Sequence, residues 1–177
     1  MKIVLLSGSP HRHGTTARLA DSFIAGAREA GHSVKRFDVA FMDIHPCMGC
    51  NVCKTEKARC VFPDDMIEVG EALMDSDCVV FVTPIYYNGF TAQMKTVIDR
   101  FFAVEPSIRK NQKTALITAM ADEGTKGVEP ANASYRAIVS WLDWKDCGIL
   151  NATGCFMADD LDKTDFEAKA FSLGKNI

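Results

Sequence analysis

Apolar residues in this chain fall into short continuous runs, separated by longer stretches in which they recur every three or four positions. Three runs stand out: Ile3-Val4-Leu5-Leu6, the stretch 77–83 (Asp77-Cys78-Val79-Val80-Phe81-Val82-Thr83), and 114–120. Such runs predict parallel strands buried on both faces. Weaker alternation predicts a strand over 33–39, and 147–157 reads as a final strand interrupted by Gly154. Helical spacing predicts a first helix over 15–30, with Ala17, Leu19, Ala20, Phe23, Ile24 and Ala27 on its apolar face and Gly31 as its C-cap. A second helix starts at Asp64-Asp65, where acids suit its positive end, and packs through Met66, Ile67, Val69, Ala72, Leu73 and Met74. Thr91 caps a third helix that runs to about Phe102, packed by Met94, Val97, Ile98, Phe101 and Phe102. A fourth carries Tyr135, Ile138, Val139, Leu142 and Trp144, and a short one closes the chain over 166–173. Five strands alternating with helices predict an α/β fold, a parallel sheet with helices on both faces. With no repeat or linker in view, residues 1–177 read as a single domain.

Length and charge narrow the class. The chain has 177 residues, enough for one sizeable core, and a net charge of −3, which argues against a nucleic-acid surface. No apolar stretch approaches the ~20 residues of a membrane span, and the N-terminus carries no signal-peptide pattern. The expectation is a cytoplasmic protein whose seven cysteines are reduced thiols or ligands.

The first candidate chemistry follows the first strand. Residues 7–16 (Ser7-Gly8-Ser9-Pro10-His11-Arg12-His13-Gly14-Thr15-Thr16) collect hydroxyls and backbone N–H groups in front of a helix start, a combination that binds phosphate. Gly8 and Gly14 lack the P-loop spacing, Thr15 stands where its lysine would be, and no G-x-G-x-x-G is present. What remains suits a single terminal phosphate such as that of FMN, as in the flavodoxin-like fold. Ligands in such sheets sit beyond the C-terminal strand ends, where this loop converges with residues 84–90 and 121–127, and the loop after the second strand is expected to bring cysteines to the same end. Tyr86 or Tyr87 can stack on a flavin ring, and Asn88 and main-chain N–H groups can bond its polar edge. No catalytic side chain is needed, because flavin N5 carries the chemistry.

The second is the run Cys47-x2-Cys50-x2-Cys53-x6-Cys60. Four thiolates from one short loop can close around one metal centre, and the first three match the C-x2-C-x2-C of a cubane iron–sulfur loop. The alternatives are zinc and unligated thiols. Cys78 and Cys147 read as core residues, and Cys155 as core or near the site. The acids Asp159, Asp160 and Asp162 read as a solvated turn rather than a metal site.

Three segments, GSPHRHGTTARLA, PCMGCNVCKTEKARCVFPDDM and TPIYYNGFTAQMKTVIDRF, resemble the flavodoxin-like NAD(P)H-dependent FMN reductases and, more narrowly, the iron–sulfur flavoproteins. The resemblance implies a flavodoxin-like three-layer sandwich with a five-stranded sheet in the order 2-1-3-4-5, and homodimers or homotetramers. It implies that Ser9, His11, Gly14, Thr15 and Thr16 hold the FMN phosphate. Pro84, Ile85, Tyr86, Tyr87 and Asn88 would hold the ring, with Asp122 in the loop after the fourth strand. Cys47, Cys50, Cys53 and Cys60 would then carry a [4Fe–4S] cluster. The expected function is an FMN-dependent oxidoreductase passing electrons from NAD(P)H to a small acceptor such as a quinone or another flavin. The alternative is an electron carrier that exchanges single electrons with a ferredoxin-like partner, and a third reading is a thiol-based redox or metal sensor. Use of NAD(P)H rests on the resemblance alone.

Overall fold

Each continuous apolar run becomes a strand in the computed structural model, which describes residues 1–56 and 59–177. The strands are β1 (Lys2–Ser7), β2 (Ser33–Asp38), β3 (Cys78–Pro84), β4 (Lys113–Ala119) and β5 (Lys145–Ala152). They pair in parallel in the order β2-β1-β3-β4-β5. The helices are α1 (Thr15–Glu29), α2 (Met66–Asp75), α3 (Ala92–Arg100), the single turn α4 (Glu105–Ile108), α5 (Glu129–Trp141) and α6 (Phe166–Asn176). This is the doubly wound order that the resemblance implies.

The period of two along β1 divides the core. Ile3 and Leu5 face the layer of α1 and α6, while Val4 and Leu6 face that of α2, α3 and α5. All six predicted packing residues of α1 are buried, and Gly31 takes the left-handed conformation (φ +81°) that ends this helix. The chain leaves β1 toward β2 on one side and returns as β3 on the other. The crevice beyond β1 and β3 is therefore the topological switch point, where ligands bind in such sheets.

The structure corrects some expectations. Ile67 is exposed rather than packed, because α2 turns positions 66, 69, 70 and 73 inward, and Phe102 is exposed in the turn that follows α3. Trp144 lies beyond α5: the chain reverses at Asp143 (φ +56°) and packs the indole against Phe81, ring centroids 6.2 Å apart. β5 ends at Ala152, and Gly154 (φ +70°) swings residues 153–157 out of the sheet. Cys78 is fully buried, and burial pushes its thiol up to about 12, in keeping with an inert core residue, whereas Cys147 is only half-buried. Among the described residues no helix is long and apolar enough to cross a membrane.

Candidate functional site

A cleft of about 1470 Å³, counted to its open mouth, lies beyond β1, β3 and β4. One end is the loop between β1 and α1. Its approach to the sheet depends on Gly8, whose N–H donates to the Val82 carbonyl (2.9 Å). A Cβ on Gly8 would lie 2.8 Å from Met94 Cβ and 2.9 Å from Thr91 Oγ1, so no side chain fits between the loop and α3. The Thr91 hydroxyl donates to the Gly8 carbonyl (2.7 Å) and accepts from the Met94 N–H (3.3 Å), capping α3 as predicted and tying β1 to β3.

The start of α1 is left open. Gly14 is its N-cap, no side chain caps it, and no acid sits in its first turn, whereas α2, α5 and α6 each carry a glutamate there. Arg18 and Ala17 donate to the Gly14 carbonyl, and nothing among the described residues accepts from the Thr15 and Thr16 N–H groups. Both threonines are largely buried and line the cleft, and no described residue pairs with their hydroxyls. The positive end of the dipole, two free amides and two free hydroxyls thus meet at one point, which suits a phosphate dianion. Ser9 shapes the loop: its hydroxyl accepts from the His11 N–H (3.1 Å). Arg12 stacks on Phe41 (3.7 Å to the centroid), which holds its charge at the rim.

The other end is the loop after β3. Tyr86 and Gly89 exchange two backbone hydrogen bonds, each 3.1 Å, across Tyr87 (φ +47°) and Asn88 (φ +62°). This is the geometry of a two-residue type I′ turn, and Tyr87 pays a steric cost for it because only glycine and asparagine enter that region readily. Tyr86 lines the cleft and is 45% exposed, which leaves a ring face free for a flat ligand. The far wall comes from Met120, Cys155, Phe156 and Met157. It is held in place where the Gly154 and Cys155 N–H groups donate to the carbonyls of Asp122 (2.8 Å) and Met120 (2.9 Å).

The cysteine loop builds a separate cavity. Cys47, Cys50, Cys53 and Cys60 line it together with Arg100 and Phe102, and it shares no lining residue with the cleft. Nine residues of α3, about 13 Å of helix axis, separate Arg100 from the Thr91 cap. The expectation that the cysteines share the flavin edge is therefore corrected: the loop passes that edge and settles against the far end of α3. Among the described residues no three His, Cys, Asp or Glu side chains are already drawn together as a metal site. Beneath the cavity Arg100 and Asp64, each 2% exposed, form a two-pronged ion pair (2.6 and 2.9 Å). Asp64 also accepts from the His45 (2.9 Å) and Met66 (3.2 Å) N–H groups. Burial would raise the Asp64 carboxyl, but these hydrogen bonds and the guanidinium charge hold it below the usual carboxylate range.

A family model described as NADPH-dependent FMN reductase matches residues 1–149. The chain belongs to this family. An iron-sulfur flavoprotein of Archaeoglobus fulgidus is 33% identical over 143 residues, covering 80% of this chain and 64% of that protein. An iron-sulfur flavoprotein of Methanocaldococcus jannaschii is 33% identical over 100 residues, 56% of this chain and 51% of that protein. The chain thus spans between half and two thirds of the length of these two relatives. Among solved structures, an NAD(P)H:quinone oxidoreductase from Methanothermobacter marburgensis superposes with a TM-score of 0.81 at 19% identity, covering 99% of this chain and 95% of the other. A flavone reductase gives 0.75 at 22%, covering 100% and 62%. These two likenesses concern the fold.

Against this family background, Ser9, His11, Gly14, Thr15, Thr16, Pro84, Ile85 and Tyr86 all line one cleft. Tyr87, Asn88 and Asp122 stand outside its walls. Tyr87 projects fully into solvent, Asn88 Oδ1 lies 3.4 Å from where a Cβ of Gly127 would be, and Asp122 serves the rim through its carbonyl. Of the wall at 155–157, Cys155 was read as core or near the site, and it is both buried and on the cleft, while Phe156 and Met157 escaped the sequence reading. In the structure they are 77% and 62% exposed, two and three residues after the left-handed Gly154. The acids near 160 prove structural: the Asp160 carboxylate accepts from the Met157 N–H (2.7 Å), and Asp162 with Glu167 holds Arg18 (2.7 and 2.6 Å).

Proposed function

We propose that this chain binds FMN in the cleft beyond β1, β3 and β4 and acts as an oxidoreductase that takes electrons from NAD(P)H to a small acceptor such as a quinone or another flavin. The observation that carries the reading is the open start of α1, where the Thr15 and Thr16 hydroxyls and two free amides line the cleft with no partner among the described residues. They fit a terminal phosphate, and the tight Gly8 turn brings them against the sheet edge. Tyr86 offers an apolar face to the ring, and the main chain of 84–86 lies beside it on the cleft wall. FMN, when bound, supplies one- and two-electron chemistry. Replacing Thr15 and Thr16 together by alanine is expected to weaken FMN binding by about 1–3 kcal/mol. Fluorescence titration of the apoprotein measures this, and unchanged affinity would remove the threonines from the phosphate site.

A second reading is favoured by a specific observation, the gathering of all four loop cysteines around one cavity. In it the chain also holds a [4Fe–4S] cluster on Cys47, Cys50, Cys53 and Cys60, and passes single electrons to a ferredoxin-like partner. The donor set fits, being four thiols on one loop, and two relatives bear the name iron-sulfur flavoprotein. Assembly as a homodimer or homotetramer in a reducing cytoplasm belongs to the same reading. Protein prepared and reconstituted without oxygen is expected to carry about four iron and four sulfide per chain. Near-zero iron with all four thiols open to alkylation would leave the flavin reductase reading alone, or the thiol-based sensor if FMN also fails to bind.

A further inference from the structure

One nitrogen of the buried guanidinium under the cysteine loop makes no hydrogen bond among the described residues. Arg100 Nη1 donates to the His45 carbonyl (2.7 Å) and to Asp64 Oδ2 (2.6 Å), and Nη2 donates to Asp64 Oδ1 (2.9 Å). Its Nε–H has no partner among the described residues, although the atom is sealed from solvent. A buried N–H without an acceptor is rare and costly, and a charged one more so. No described oxygen accepts from it, and Arg100 lines the same cavity as Cys47, Cys50, Cys53 and Cys60.

We infer that Arg100 is a cluster-contacting donor, its Nε–H held for a sulfur of the group that the four cysteines bind. This rests on the reading of that loop as a cluster site. The planar guanidinium explains why arginine serves here. Its two terminal nitrogens grip Asp64 as a fork, which fixes the plane and leaves the Nε edge directed away from the carboxylate. Asp64 is in turn fixed by the His45 and Met66 N–H groups, so the donor is oriented before any cluster arrives. Asp64 lies just before α2 and Arg100 at the end of α3, so the pair is placed by the elements that flank the loop. A hydrogen bond and a cation beside the sulfurs stabilise the reduced, more negative cluster, and so raise its potential.

The test compares the wild type, Arg100→Lys and the double variant Arg100→Gln/Asp64→Asn, each full-length and reconstituted anaerobically with iron, sulfide and FMN. Lysine keeps a cation for Asp64 but not the third, oriented donor. The double variant removes the charge pair without leaving either partner alone, and it answers the question if the lysine variant fails to fold. Potentials are read by titration, with the paramagnetic resonance of the reduced cluster for iron and visible absorbance for flavin. Both variants are expected to bind iron and sulfide, to show a cluster potential more negative than wild type with the flavin potential unmoved, and to lose iron to a chelator about ten- to a hundredfold more readily. A variant with wild-type cluster potential and iron retention, even if less stable to heat, would overturn the role of Arg100 and leave the cluster reading standing. A wild type that takes up neither iron nor sulfide would overturn the cluster reading, and this inference with it.

Discussion

Replacing Asp64 by alanine is expected to destabilise the fold by about 3–5 kcal/mol, because it strands a guanidinium in the interior. Arg100 is 2% exposed and finds its charge compensation in Asp64 alone among the described carboxylates within salt-bridge distance. Exposed pairs such as Lys95–Asp99, each about half-exposed, bring a far smaller loss, and Asp99→Ala is the control. Urea denaturation monitored by far-ultraviolet circular dichroism measures both. A loss for Asp64→Ala no larger than the control's would show that water reaches Arg100. The same pair sets an acid limit. The Asp64 carboxyl is held below its ordinary value, so its contribution is complete above the unfolded-state value of ~3.9 and disappears as pH falls through the lower folded-state value. Asp64→Asn is therefore expected to flatten the fall in stability below about pH 4. Buried pairs are not intrinsically the most stabilising solution, since well-packed apolar residues of similar volume often do as well or better.

How much of this was legible in sequence depends on where the signal is stored. The strands were plain, because β1, β3 and β4 are covered on both faces and so read as unbroken apolar runs. The loop at the start of α1 was legible as a cleft wall too, since its hydroxyls and free amides lie close together along the chain. Tyr86 was found for the same reason, but Tyr87 and Asn88 were not separable from it: alternation says nothing about which residues of a two-residue left-handed turn project away. The wall at 155–157 was hidden inside an overlong strand, because only φ at Gly154 shows that the chain has left the sheet. The cysteine spacing was visible, while its distance from the cleft was not. That distance is set by the length of α3 and by the Arg100–Asp64 link across 36 residues, and a motif carries neither. The buried role of Arg100 is the hardest case: it follows Met94 and Val97 at steps of three on the packed side of α3, yet an arginine in a helix ordinarily reads as a solvated position.

Gly26→Ala is expected to destabilise the chain by about 3 kcal/mol or more, although glycine to alanine ordinarily strengthens a helix interior. The reason is the crossing of α1 and α6. A Cβ built on Gly26 would overlap the Phe171 carbonyl oxygen and stand 2.8 Å from its carbon and 3.1 Å from the Lys175 nitrogen. Gly174, on α6, faces the Phe23 carbonyl and the Ala27 nitrogen in the same way. The obstructing atoms are backbone on both sides, so no rotamer change relieves the overlap and one helix must move. α1 is held by the sheet through Leu19, Phe23 and Ala27, all fully buried, whereas α6 reaches the core through Ala170 and Ile177 with Phe166 and Leu173 at its margin. The yielding partner is therefore α6. Its displacement strains the Arg18–Glu167 bond at one end and the Lys175–Glu29 pair at the other. Urea denaturation gives the stability, and limited proteolysis reads the detachment of α6 as earlier cleavage near 164. FMN affinity of the folded fraction is expected to stay close to wild type, because the start of α1 keeps its place on the sheet. Unchanged stability would mean that the helices do not approach as closely as Gly26 and Gly174 indicate, and a large loss of FMN affinity would mean that α1, not α6, is the helix that moves.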